Sequence, residues 1–418
     1  MNQPKDSTAS IPPDPSSFSN SPPESTSWTL YLCISAALCV GVMCTALVSP
    51  LYPIYQATYG FTHSAISYIH VIYVVGVMTS LVFLGNLNTF FGYWTILRAG
   101  TALMMVGLAL MMLWPTQVGL MCGRFCVGLA TGMISTSTLL GMIKTIPSAH
   151  ANRAPQYSSM ISVVGFGLGP LLGGFLAEFL PFPLIIPFVV MIVAGAVVSW
   201  QLMLKGRTLD QTKQGRLRFL PEMRLPEPEV HTTFWLISLG AFLAFGIFSF
   251  FGSLATSFLH EFLNDAGPLI NGASVAAVLL ISGAVQFVCK MMSPRKNFLS
   301  GLCMLIVSCA ALISTIVFDT SILFLLAVIL AGIGHGLILV STFALMHRIS
   351  TPENKSATLS SFLFIGYFGM VLPIVISGYL SDWFGLNVGV VAFCLMMMAV
   401  AIAVLIKTWQ RRNVPLNY

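Results

Sequence analysis

Charge is what this sequence lacks. Only 8% of its 418 residues are Asp, Glu, Lys or Arg, against about 25% in a soluble protein. That supply does not coat a soluble surface of this size, and 56% of the residues are hydrophobic, so lipid is the solvent for much of the chain. Acid is the scarcer sign: all thirteen Asp and Glu lie in tails, loops or the ends of apolar stretches. No basic face interleaved with aromatics exists, which excludes nucleic acid as a partner. The nine cysteines form no C-x-x-C pair and stand at no metal-ligand spacing to a histidine. They read as packing residues, and neither a metal nor another cofactor is expected. A G-x-x-x-x-G-K-[ST] loop, an H-E-x-x-H pair and a nucleophile elbow are all missing, so no enzyme and no catalytic residue is expected. Residues 1–28 lack an apolar core; with six Pro, eight Ser, one Lys and three acids they read as a disordered cytoplasmic tail, not as a cleavable signal.

Long apolar runs are what it has. A spanning helix needs about 20 mostly apolar residues. Twelve stretches qualify: 29–55, 64–86, 95–114, 118–143, 157–180, 182–204, 232–260, 269–291, 298–318, 321–346, 357–380 and 386–408. The pattern predicts an all-α membrane protein with twelve transmembrane helices. With the N-terminus in the cytoplasm, 18 of the 19 Lys and Arg fall on the inner side and the outer loops hold none, the bias expected of inner loops. Both termini are then cytoplasmic. The polar stretch 205–231 separates two six-helix halves, 29–204 and 232–408, and 409–418 forms a second tail.

The halves repeat. A shift of 204 residues lays Gly128 on Gly332, Gly132 on Gly336, Ser137 on Ser341, Lys144 on Arg348, Gly165 on Gly369, Gly174 on Gly378 and Glu178 on Asp382. Parallel repeats about an axis along the membrane normal describe one transporter architecture, with the substrate site at the repeat interface.

The nineteenth cation is Arg124, inside the fourth segment. A charge at helix centre costs about 2.5–3.5 kcal/mol on insertion scales, so its default reading is functional. The alternatives are snorkelling to the interface or a bond to a helix carbonyl. It lands on Val328 in the repeat, so the two halves differ where the charge sits. With no deep acid, the titratable candidates are His70 and His335. His70 and Arg124 both sit about 9 Å below the outer edge of a core about 30 Å thick; facing one cavity, the guanidinium would oppose a charge on His70. Tyr52 and Tyr55, beside Pro50 and Pro53 in segment one, Phe245 in segment seven and Thr131 in segment four are further candidates for a substrate or proton path. Glu178 and Asp382 are candidate rim or gate residues.

Segment five reads Gly165-x-x-x-Gly169-Pro170-x-x-Gly173-Gly174, whose glycines allow close helix approach and whose proline favours a kink, a combination suited to a hinge. This run resembles the later part of the antiporter motif of the major facilitator superfamily, and Arg124-x-x-x-Gly128 resembles that family's membrane-embedded Arg motif. The family's loop motif between segments two and three has its glycines here in Gly85 and Gly92, but its acid has become Thr89 and its basic positions Phe90, Tyr93 and Trp94. A charged cytoplasmic latch is therefore not expected. The resemblance implies two pseudo-symmetric six-helix bundles and alternating access. It points to proton-coupled export of a small amphipathic or weakly anionic compound across a bacterial inner membrane by a monomer. Uptake of a sugar or organic acid by proton symport, and a non-transporting sensor on the same scaffold, are the alternatives.

Overall fold

The structure, a computed structural model, describes residues 28–83, 87–146, 154–205, 225–262, 266–289, 291–351 and 354–410. The expected tails and most of the linker, 1–27, 411–418 and 206–224, lie outside these, as does Gly85. In chain order the first half holds α1 (Trp28–Ala46), α2 (Tyr52–Tyr59), α3 (His63–Phe83), α4 (Leu87–Phe91), α5 (Tyr93–Leu113), α6 (Gln117–Thr145), α7 (Ala154–Phe179) and α8 (Ile186–Lys205). The second holds α9 (His231–Phe251), α10 (Leu254–Phe262), α11 (Pro268–Cys289), α12 (Pro294–Phe318), α13 (Ser321–Ile349), α14 (Lys355–Phe384) and α15 (Leu386–Gln410). Among the described residues, twelve spans are long and apolar enough to cross a membrane. Large side chains such as Leu113, Val288 and Ile322, each more than 70% exposed, cover the outside, where lipid tails take the place of water.

Two spans are broken, at positions related by the repeat. Span one stops at Ala46, makes a 3-10 turn over Ser49–Leu51 and resumes as α2. Pro50 and Pro53 lack the N–H that a continuous helix needs there. Span seven was expected to run unbroken through 260; instead α9 ends at Phe251 and α10 starts at Leu254. No proline causes this. Ser253 donates its hydroxyl to the Ser249 carbonyl and Thr256 donates to the Ser253 carbonyl, both at 2.7 Å, bonds that compete with the helix ladder. Ser253 lies 204 residues after Ser49.

The helices sort into two six-span bundles. Within the first, α6 packs on α3 and α5, and α7 on α1; within the second, α13 packs on α11 and α12, and α14 on α9. Across the halves run two main seams, α7 with α11 and α3 with α14. In α7 the glycines 165, 169 and 173 face the carbonyls of Cys39, Met43 and Leu47. Both sets are spaced by four, so a Cβ at any of the three would push the two backbones apart. Pro170 lies inside α7, which stays helical through it to Phe179.

The end of the bundle where α1 starts also carries Lys144, Arg295, Arg348 and Lys407, and is called the basic face below. Arg98, near the start of the segment expected over 95–114, lies in the second turn of α5, which begins at Tyr93. Its Nε and Nη2 donate to the Leu202 carbonyl at 3.2 and 2.9 Å, and Arg295 donates to the Thr408 carbonyl at 3.3 Å. These cations thus satisfy free carbonyls at the ends of α8 and α15, where the helix dipole favours positive charge.

Candidate functional site

A cavity of about 280 Å³ lies between the halves. The first half lines it with Tyr73 and Val77 of α3 and Ser162 and Phe166 of α7; the second contributes Phe245 and Phe248 of α9, Ser282 and Gln286 of α11, His335 of α13 and Tyr367 of α14. Counted along their helices, these residues run from mid-depth to the basic face. Phe245 stacks on Tyr367 at 5.2 Å between ring centroids, and Phe248 lies 6.4 Å from the His335 ring. Of the residues singled out from sequence, His335 and Phe245 are on the wall.

His335 is held by a chain of bonds. Gln286 donates its amide to the Ser282 hydroxyl at 3.1 Å, and Ser282 Oγ lies 2.7 Å from His335 Nδ1. A hydroxyl that accepts from Gln286 still has its own hydrogen to give. Donated to Nδ1, it places the proton of the neutral ring on Nε2. A second proton on the ring would turn Nδ1 into a donor, and Ser282 would then have to point its hydrogen elsewhere. Ser282 and Gln286 carry no signal in the sequence beyond their polarity inside an apolar helix.

Arg124 does not line the cavity. It is 2% exposed, so it does not snorkel. Its Nη1 donates to the Thr45 carbonyl at 2.6 Å, and its guanidinium carbon lies 4.8 Å from the centroid of the Tyr73 ring. Thr45 is the fourth residue before Ser49, near the point where α1 gives up its helical ladder. Thr45 and Thr131 share a hydrogen bond at 2.9 Å, and Thr131 also donates to the Val127 carbonyl at 2.7 Å. Tyr73 therefore stands between the cavity and the guanidinium. It follows His70 by three residues, on the same helix face, a spacing that marks it only once the cavity is known.

Around Arg124 several buried polar atoms have no hydrogen-bond partner among the described residues: Arg124 Nε, the Tyr52 hydroxyl and both ring nitrogens of His70. The Tyr55 hydroxyl is likewise buried without such a partner, its ring stacked with Tyr59 and Phe61. The Tyr52 hydroxyl is close to the guanidinium without meeting hydrogen-bond geometry. His70 is within electrostatic reach of Arg124 and packs against Gly252, at the break after α9. A buried cation with an unused N–H can take a further acceptor, since orphaned buried donors are costly.

At the end opposite the basic face, the halves meet through helix N-termini. Asp382, in the last turn of α14, accepts the main-chain N–H groups of His63 and Ser64 at 2.8 and 3.2 Å. Glu178, in the last turn of α7, accepts that of Leu269 at 2.8 Å. One carboxylate caps α3, the other α11, each from the opposite half. Four residues earlier, Gly378 packs on Ser64 and Gly174 on Pro268; a Cβ at either would separate the seam. The repeat shift relates the carboxylates Glu178 and Asp382, the glycines 174 and 378, and Ser64 with Pro268, while the donor Leu269 falls one residue beyond the position that matches Ser64. Gln56 also accepts from Ser257 across the halves at 2.6 Å, Tyr68 bonds Tyr379, and His63 lies 3.8 Å from Glu261.

Near the basic face, α4 holds the residues that follow the second segment. Asn88 donates to Thr136 at 3.1 Å and accepts from Ser137 at 2.7 Å, both on α6 of the same half. Gly92 opens α5 at φ 82°, a backbone region that side-chain-bearing residues avoid.

Comparison with known proteins adds the following. A family model described as the Major Facilitator Superfamily matches residues 34–374. Among solved structures, a bacterial homologue of the human lysosomal transporter Spinster, inward-facing and occupied, is 16% identical with a TM-score of 0.72 over 93% of this chain and 97% of its own. The POT family transporter PepTSo is 12% identical with a TM-score of 0.73 over 93% and 99%. The human organic anion transporter MFSD10 is 11% identical with a TM-score of 0.61 over 90% and 99%. At these identities the likeness is one of fold. No curated protein matches the sequence.

Proposed function

We propose that this chain, which belongs to the Major Facilitator Superfamily, is a secondary transporter working by alternating access, its two bundles rocking about the cavity between them. The finer reading is proton-linked export of a small amphipathic or weakly anionic compound. The observation that carries it is the cavity drawn from both halves, with an uncompensated guanidinium behind its Tyr73 wall. The apolar rings Phe245, Phe248 and Phe166 suit a flat or aliphatic body. An acidic group that displaces the Tyr73 ring meets Arg124 Nε and the Tyr52 hydroxyl. His335 is the coupling group: protonation of its ring reverses the Ser282 bond and changes the wall beside Phe248. Glu178 and Asp382 act as the gate on the far side, and Gly165, Gly169 and Gly173 let α7 move against α1 while staying in contact. Export is supported by the Gly-Pro-x-x-Gly-Gly resemblance in α7. The reading places the chain in a bacterial inner membrane as a monomer, with both termini in the cytoplasm.

The test starts with a ligand-dependent thermal-shift screen on purified protein, followed by flux in proteoliposomes. Substrate-dependent proton movement is expected. Flux from a sealed, active preparation that ignores every ion gradient would refute the coupling. Accumulation inside whole cells would favour symport over export, and ligand binding without flux would favour the sensor, a reading that draws on the uncharged anchoring of α4.

A further inference from the structure

A second hollow, of about 440 Å³, opens between α7 and α11. It shares the wall residues Ser159, Val163 and Gln286 with the central cavity, so the two adjoin. Among the described residues no Asp, Glu, Lys, Arg or His lines it, and its polar side chains there are those of Gln156, Ser159 and Gln286. Its lips are the apolar side chains Met160 and Val164 on α7 and Leu280 and Phe287 on α11, all 37–49% exposed. They belong to the surface that faces lipid. From Gln156 to Val164 the crevice runs about 12 Å along α7 at ~1.5 Å per residue. Beyond it the same two helices touch backbone to backbone, Gly272 on Pro170 and Gly174 on Pro268. The seam is therefore closed at the carboxylate rim and parted toward the basic face.

We propose that this crevice is a side entrance from the bilayer, through which a single-chain amphiphile reaches the central cavity. The proposal rests on the transport reading above and names its substrate class. The apolar chain lies against Met160, Val164 and Phe287. The polar end, neutral or weakly acidic, reaches the Gln286–Ser282–His335 chain. A resident lipid tail fits the outer part alone and leaves those inner hydrogen-bonding groups unmatched, whereas an amphiphile meets both. A bilayer-dissolved molecule needs no charged mouth to attract it, in keeping with the crevice lining.

The probe is dansyl-undecanoate, with dansylglycine as the same fluorophore without a chain, and the protein is held in nanodiscs. Wild type should bind dansyl-undecanoate saturably and dansylglycine far more weakly. Ala284→Phe fills the crevice from an exposed position and should raise the Kd at least tenfold, as should Gln286→Leu. Ala284→Ser leaves the crevice open and should match wild type; thermal unfolding checks that each variant is folded. Saturable binding lost in Phe248→Trp but unchanged in Ala284→Phe would overturn the side entrance and leave the cavity reading standing. Equal or tighter binding of dansylglycine would overturn the amphiphile. Absence of saturable binding of both probes would also overturn it, while proton-linked flux of a compound found by the thermal-shift screen would still decide the transport reading.

Discussion

Removing the rim carboxylates should tip the protein out of the conformation described here. Asp382 and Glu178 accept main-chain N–H groups at 2.8–3.2 Å from helices of the opposite half. The bonds and the favourable helix-dipole interactions exist only while that end is closed. An N-cap of this kind is worth about 1 kcal/mol when replaced by alanine, and the exposure of the rim argues against a larger figure. One kcal/mol changes the ratio of two states about fivefold. The two caps sit on different helix pairs, so their losses add to about 2 kcal/mol, or about thirtyfold. Asp382→Ala, which removes two bonds, should shift the balance more than Glu178→Ala, which removes one. Asp382→Asn keeps an accepting oxygen and should shift it least. The assay is a distance distribution between spin labels at Leu113 and Phe318, exposed ends of α5 and α12 in opposite halves, in a background cleared of the native cysteines. The double alanine variant should gain a longer-distance population. A folded double variant with an unchanged distribution would refute the gate.

Arg124→Ala should lower transport at least tenfold with the protein still inserted and folded, because the Thr45 bond it loses is offset by no longer burying a charge; wild-type flux in proteoliposomes would make the residue structural. Arg124→Lys, which keeps the charge without the planar fork, separates the two contributions by its flux relative to alanine. Ser282→Ala should weaken the dependence of flux on a pH gradient more than it weakens substrate binding, read by comparing driven and undriven exchange. Gly169→Val forces a side chain against the Met43 carbonyl and should cost about 1–3 kcal/mol, visible as a lower unfolding temperature.

The spans were legible because length and hydropathy together define a membrane helix, and the pairing of the halves because one shift carries Gly128, Gly174 and Glu178 onto their counterparts. The break at Gly252 and Ser253 was not, since Gly and Ser are ordinary in membrane helices and only side-chain bonds to nearby carbonyls make the stop. Arg124 stood out as a charge in an apolar run. Its partner is the main-chain carbonyl of Thr45, and a carbonyl leaves no mark in a sequence. Glu178 and Asp382 stood out by matching positions, but what they hold depends on how the halves dock. Ser282, Gln286 and Tyr73 acquire meaning only from their neighbours across helices. The sequence has Thr89 where the family's loop motif has an acid, and Asn88 beside it is tied to α6 by neutral hydrogen bonds.

The two ends of the bundle are held by different chemistry, and this sets what the transport cycle must supply. At the rim, two carboxylates grip helix N-termini across the halves. Near the basic face, Asn88 ties α4 to α6 of its own half. On the proposed cycle, opening the rim breaks charge-assisted bonds, and these weigh on the balance between its closed and open states. A ligand shifts such a balance only by binding the other state more tightly. The closed-rim state keeps Tyr73 over the Arg124 guanidinium and leaves Arg124 Nε and the Tyr52 hydroxyl unused. These are contacts that a substrate gains only after the Tyr73 ring moves. On the proposed reading, the difference in binding that the cycle requires is held in the buried polar cluster around Arg124.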